Sequence, residues 1–217
     1  LENKNSSELL IEQLSRELKP VKGLSSPLRW SATLLGAALL VILAALFISG
    51  PRAGLSETFL DAGFDFNLLC SLALLISSLL LSSLLSRPGA RAKVAGSFAL
   101  LATLLLLAFN LGAIGTSAFT ARAAVDSGNG QACGLFVVLI AASLGTLFLF
   151  RARAGAPTKP WLVGATIGLA SFAAGSIGIA LHCGNENALH IGLWHVGIPA
   201  MIVVGLGAIL GQRVLRW

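Results

Sequence analysis

The sequence predicts an all-α polytopic membrane protein, a bundle of six transmembrane helices with a short amphipathic helix at its N-terminal side. Three observations predict it. Only 11% of the 217 residues are charged, where a soluble domain carries about 25%, and the mean hydropathy is +0.87. All 24 charges fall outside six windows, 30–51, 66–86, 94–121, 127–150, 160–185 and 187–212, and so crowd into the remaining 70 residues. Each window exceeds the roughly 20 apolar residues that a helix needs to cross a bilayer core of about 30 Å. A water-soluble globule and a disordered chain are both excluded.

Lipid offers the backbone no hydrogen bonds, so each span is expected to be a helix. The expected spans are Ser31–Ser49, Phe66–Leu85, Val94–Ile114, Cys133–Phe150, Trp161–Leu181 and Ile191–Leu210. Runs such as LLLSSLL and LLATLLLLAF lack the alternation of a β-barrel strand. The first span follows a charged segment and starts about 30 residues in, which fits an uncleaved span better than a secretory signal.

The basic residues orient the bundle. With six spans, 13 Lys/Arg fall on the side of the two termini, and only Arg52 and Arg122 fall on the other. The positive-inside rule then puts both termini in the cytoplasm. The net charge of +6 therefore reports topology, and direct nucleic-acid binding is not expected.

No loop is large enough for a soluble catalytic domain, which leaves residues 1–30, the outer loops or the bundle interior (31–217) to carry function. Residues 5–19 read NSSELLIEQLSRELK. Leu10, Leu14 and Leu18 recur every four residues with Ile11 beside them, and charged or polar residues take the opposite side, the pattern of an amphipathic helix. Asn5 is its expected cap, with Glu8 three residues on, and Pro20 ends it. Such a helix is marginal alone. Either it packs on the protein's own loops or it docks on a soluble partner. Arg29 and Trp30 mark the membrane interface, where both types anchor beside lipid headgroups.

Small-xxx-small pairs, Gly164/Gly168 and Gly207/Gly211, are expected to allow close helix approach. Pro199 is expected to kink the sixth span.

The chemistry-bearing residues collect at the outer face. Cys133 opens the fourth span and Cys183 follows the fifth, so both lie at one membrane face, with Cys70 nearby as a packed, apolar-like side chain. Cys133 and Cys183 are a static disulfide, a pair of inert thiols or a redox switch, and a disulfide requires Cα atoms within about 7 Å. All three histidines, His182, His190 and His195, lie in HCGNENALHIGLWH. Imidazole and thiolate suit borderline and soft metals, but this spacing matches no standard zinc pattern. No metal and no cofactor is expected, with Cys183, His182 and His190 as the weaker ligand alternative. His195, about one turn into the last span, is expected to hydrogen-bond a neighbouring helix. There is no phosphate-binding loop and no acidic residue inside a span, which argues against carboxylate-coupled transport.

Several pieces together resemble a known family. The opening ELLIEQLSRELKPVKGLSSPLRW, the HC at His182–Cys183, the WH at Trp194–His195, Cys133 near the start of the fourth span and the closing GQRVLRW are similar to the NrsF-like family of six-helix membrane anti-sigma factors. The resemblance covers the whole chain. It implies that residues 1–30 hold an extracytoplasmic-function sigma factor at the inner membrane. Leu10, Ile11, Leu14, Leu18, Pro20 and Val21 are then the sigma-contact residues. It further implies that Cys133 and Cys183 sense oxidative or heavy-metal stress, with His182, His190 and His195 as neighbours of the sensing site, and that the protein is a regulator in lipid rather than an enzyme. A membrane thiol/quinone oxidoreductase is the alternative that the cysteines suggest, weakened by the lack of a C-x-x-C pair. A small transporter is the other.

Overall fold

The computed structural model describes residues 6–17, 24–59, 61–117 and 130–216. Among them the regular structure is helical throughout: α1 (Ser6–Glu17), α2 (Pro27–Ser49), α3 (Leu55–Thr58), α4 (Ala62–Leu85), α5 (Lys93–Ser117), α6 (Gly130–Ala152), α7 (Pro160–His182), α8 (Ala188–His190), a π-helical segment (Ile191–Gly197) and α9 (Ile198–Val214). Six helices are long and apolar enough to cross a membrane: α2, α4, α5, α6, α7 and the continuous run Ala188–Val214. They coincide with the six expected spans and extend most of them by one to four residues at either end.

The extensions follow from capping, because an apolar window ends before its helix does. Ser26 caps α2 by accepting from the Arg29 amide, with Pro27 in the first turn, where a missing N–H costs nothing. The Asp61 carboxylate accepts from the Phe64 amide and starts α4. Gly50 ends α2 at φ 82°, in the left-handed region.

The centre of the bundle is α7. Nearly every residue from Val163 to Ile179 is buried, and α7 packs against α2, α4, α6 and α9, while α5 lies outside against α4. Small residues make the central position reachable. A side chain on Gly164 would strike the Gly207 carbonyl, and one on Gly211 would meet the Pro160 carbonyl at 2.7 Å. The two glycine pairs read from the sequence thus face each other across α7 and α9. On its other side, Gly175 faces the Val137 carbonyl of α6, where a Cβ would lie 2.7 Å away. Buried serines on α4 (Ser71, Ser78, Ser82 and Ser83) give a similarly slim contact.

The bundle has one basic end. Arg29, Arg87, Arg91, Lys93, Arg151, Arg153, Lys159, Arg213 and Arg216 flank helix termini there, whereas Arg52 is alone among the described residues at the other. At the basic end the Arg87 guanidinium donates to the Ser25 and Ser83 carbonyls. Arg87 and Arg151 lie over the buried Trp30 ring at 5.8 and 5.9 Å. These contacts hold the start of α2 to the loop after α4 and the last turn of α6.

Candidate functional site

The site lies at the end opposite the basic one and is built from α6, the end of α7, and the run from α8 into the π-helical segment. The α7 backbone stops at Cys183, whose amide donates to the Ile179 carbonyl at 2.7 Å. Cys133 stands one turn into α6. Because α6 and α7 approach closely through Gly175 and Gly178, the two thiol sulfurs come within 3.6 Å. Both are free thiols. Cys70 is buried in the core, as the sequence suggests, and is not part of this group.

Asn187 then starts α8. Its side-chain oxygen accepts from the amides of Leu189 (2.9 Å) and His190 (3.3 Å), and its own amide donates to the Asn185 side chain. This cap turns the chain back into the membrane directly after Cys183, and it brings His190 Nε2 to 3.8 Å from the Cys183 sulfur.

The last span is not a plain α-helix. Over Ile191–Gly197 it takes π-helical form, and the Ile198 amide donates to the Leu193 carbonyl five residues back. Pro199 supplies a cause. Without an N–H it cannot donate to the His195 carbonyl, so the α-helical ladder is already broken there. The expected kink is therefore a change of helical winding. It has a direct effect on the histidines: five residues at about 100° each leave two side chains about 140° apart on an α-helix, whereas a ladder of i→i+5 bonds turns less per residue and brings residues five apart toward one side. His190 and His195 accordingly meet edge-to-face, with ring centroids 5.1 Å apart.

Trp194 locks this segment to α6. Its indole occupies the space a side chain on Gly130 would need, and a Cβ on Gly134 would lie 3.2 Å from the same ring. The two glycines make a slot one turn long, flanking Cys133, so the residue beside His195 is pinned against the helix that carries Cys133. The resulting group is Cys133, Cys183, His190 and His195, with one donor atom of each lying within 4.8 Å of the others. His190 and His195 are 3% and 4% exposed. His195 Nε2 is buried with no hydrogen-bond partner, so the hydrogen bond to a neighbouring helix expected of it is not made by this atom.

His182 is not in the group, although it adjoins Cys183. Its ring stacks on Phe136 at 5.1 Å, and Nδ1–H donates to the Gly50 carbonyl at 2.7 Å. The ligand alternative Cys183, His182 and His190 is therefore not the set that the fold gathers: Cys133 and His195 stand where that set has His182. The reason is rotational, since consecutive residues at a helix end point in different directions.

A cavity of about 510 Å³ opens beside the group. Cys183 and His195 form part of its wall, together with Arg52, Glu57, Asp61 and Glu186. The Asn67 and Asn110 side chains, hydrogen-bonded at 3.4 Å, also line it.

At the far N-terminal end, α1 forms as the sequence predicts, with a Glu12–Arg16 ion pair of 2.9 Å along it. Leu9, Leu10, Ile11 and Leu14 are exposed, so among the described residues nothing covers the apolar face of α1. Asn5, Leu18, Pro20 and Val21 lie outside the described residues.

Comparison with known proteins gives one consistent result. The family model described as NrsF, negative regulator of sigma F, matches residues 14–217. A protein of Azospira oryzae described as "Probable anti-sigma-F factor NrsF" is 30% identical over 87 residues, and the chain covers 40% of that relative's length. No solved structure matches.

Proposed function

The chain belongs to the NrsF family of negative regulators of sigma F, and from that membership we propose a membrane-bound anti-sigma factor of the bacterial inner membrane. In this reading both termini are cytoplasmic, and residues 1–30 hold an extracytoplasmic-function sigma factor. Residues 31–217 form the sensor, and the sigma factor is released when Cys133 and Cys183 meet oxidative or heavy-metal stress. The observation that carries the docking half is the exposed apolar face of α1, Leu10, Ile11 and Leu14. It supplies the spaced anchors of helix-in-groove recognition, continued in the sequence by Leu18, Pro20 and Val21.

The sensing half rests on the two sulfurs. A two-electron oxidant such as hydrogen peroxide takes two electrons and two protons from the thiols and leaves as two waters. The S–S bond that forms, about 2.04 Å long, draws the sulfurs in by about 1.6 Å from their present 3.6 Å. That movement acts on the end of α7, the helix against which α2 packs. A ten-fold loss of sigma affinity needs only about 1.4 kcal/mol of difference between two packings of the bundle.

The test is co-purification of the full chain from bacterial membranes with its bound proteins identified by mass spectrometry. A sigma factor is expected with the wild type and lost with Leu14→Glu at unchanged membrane insertion. Retention in Leu14→Glu would overturn the docking face, and absence of any sigma factor from the wild type would overturn the function.

A further inference from the structure

We infer that Cys133, Cys183, His190 and His195 form a tetrahedral site for a borderline-soft divalent cation, Zn²⁺ by its chemistry. The inference deepens the sensing-site reading above, since it says what the sensing thiols hold at rest.

The donor geometry is the first argument. Four donors from two stretches of chain, Cys133 in α6 and Cys183, His190 and His195 within residues 183–195, lie within 4.8 Å of one another. A tetrahedral zinc with bonds of ~2.3 Å to sulfur and ~2.0 Å to imidazole nitrogen sets S···S at ~3.8 Å and S···N at ~3.5 Å. The Cys133–Cys183 sulfurs lie at 3.6 Å and the Cys183–His190 pair at 3.8 Å. The two measured edges are thus close to those of a metal centre, and the remaining donors need only contract toward it.

The second argument is the orphaned nitrogen. His195 is 4% exposed, and its Nε2 has no partner, although the residue belongs to a group of potential ligands. A buried polar atom is ordinarily paired, and a cation between the four residues supplies the missing interaction.

The donor set also selects the ion. Two thiolates and two imidazoles with no carboxylate favour zinc over magnesium or calcium, which require oxygen. Binding balances: Zn²⁺ displaces one proton from each thiol, and two protons leave to solvent. The centre formed from two thiolates and two neutral imidazoles carries no net charge, which suits a site at the membrane boundary. Glu57 and Asp61 line the adjoining cavity and provide an acidic approach for the cation, while Glu186 there is paired with Arg52.

The experiment uses the full chain in detergent, stripped with chelator under reducing conditions and then titrated with Zn²⁺ and, separately, Co²⁺. One Zn²⁺ per chain is expected. The Co²⁺ form should show thiolate charge-transfer bands and intense tetrahedral d–d bands. That spectrum is read on the wild type, so it stands even where a variant fails to fold. Replacing a ligand should weaken metal binding at least as much as loss of a supporting residue does, about ten-fold or more, in each of Cys133→Ser, Cys183→Ser, His190→Ala and His195→Ala. Cys70→Ser should bind as the wild type does. Substoichiometric Zn²⁺, an octahedral Co²⁺ spectrum, or unchanged affinity in His190→Ala and His195→Ala would overturn the site. Sigma-factor co-purification from the same membranes separates the two readings: zinc without sigma factor retains the site and removes the anti-sigma function, and sigma factor without zinc does the reverse.

Discussion

The His182 imidazole donates from Nδ1 to the carbonyl of Gly50 at 2.7 Å, and so joins the end of α7 to the end of α2. Two further bonds reinforce the joint. The Arg52 amide donates to the Leu181 carbonyl at 2.9 Å, and the largely buried Arg52 guanidinium pairs with Glu186 at 2.9 Å. Cys183 thus sits within a clamp that grips α2, a 23-residue helix about 35 Å long. The other end of α2 leads to residues 24–26 and, beyond them, α1. From the thiols to residue 24, the path thus consists of one hydrogen-bonded joint and one helix.

The clamp predicts a separation of sensing from release. His182→Phe keeps a ring to stack on Phe136 and loses the bond to Gly50. Sigma-factor retention should persist, while oxidant-induced release weakens. A sigma-dependent reporter measured with and without peroxide checks this. Normal induction in His182→Phe would show that the joint carries no signal.

The Trp194 slot predicts an indirect loss of metal. A methyl on Gly130 collides with the indole, so Gly130→Ala should displace Trp194 and with it His195. The bundle should stay folded while zinc affinity falls about ten-fold, the scale seen when residues that support ligands are lost. Metal titration beside a helical circular dichroism spectrum reads both.

The α7–α9 contact predicts a stability difference between neighbouring glycines. Gly207→Val drives a side chain onto the Gly164 carbonyl and within 3.1 Å of the Gly168 Cα. Neither backbone can yield without parting the helices, so a cost of about 1–3 kcal/mol or more is expected. Gly205→Ala meets nothing within 4 Å and should be neutral. Unfolding in detergent and denaturant separates the two.

Topology is checked by labelling. In a background with all three cysteines replaced by serine, Ser56→Cys in α3 should react with a membrane-impermeant maleimide on intact spheroplasts. Arg91→Cys, at the basic end, should react only after permeabilisation. The reverse pattern would invert the orientation.

The docking face predicts a contrast along α1. Leu10→Glu should abolish sigma-factor retention, because a carboxylate cannot enter an apolar groove unpaired. Arg16→Ala, which removes an exposed ion pair, should leave retention nearly unchanged. Pull-down from solubilised membranes compares them.

The sequence by itself determined the six spans, their all-helical form, the amphipathic α1 and the gathering of Cys133 and Cys183 at one face. Charge exclusion from hydrocarbon and backbone hydrogen bonding act on composition and length alone, so these features need no knowledge of neighbours. The glycine pairs of α7 and α9 were legible for a similar reason, since a missing side chain marks where backbones can meet. Which histidines join the thiols was decided only by the tertiary structure. On a regular α-helix His190 and His195 diverge, and the π-helical turn before Pro199, pinned by Trp194 in the Gly130–Gly134 slot, brings them together. His182 adjoins Cys183 in sequence, yet its ring turns to Gly50. Rotation about the helix axis and the contacts of neighbouring helices set those directions, and linear spacing records neither.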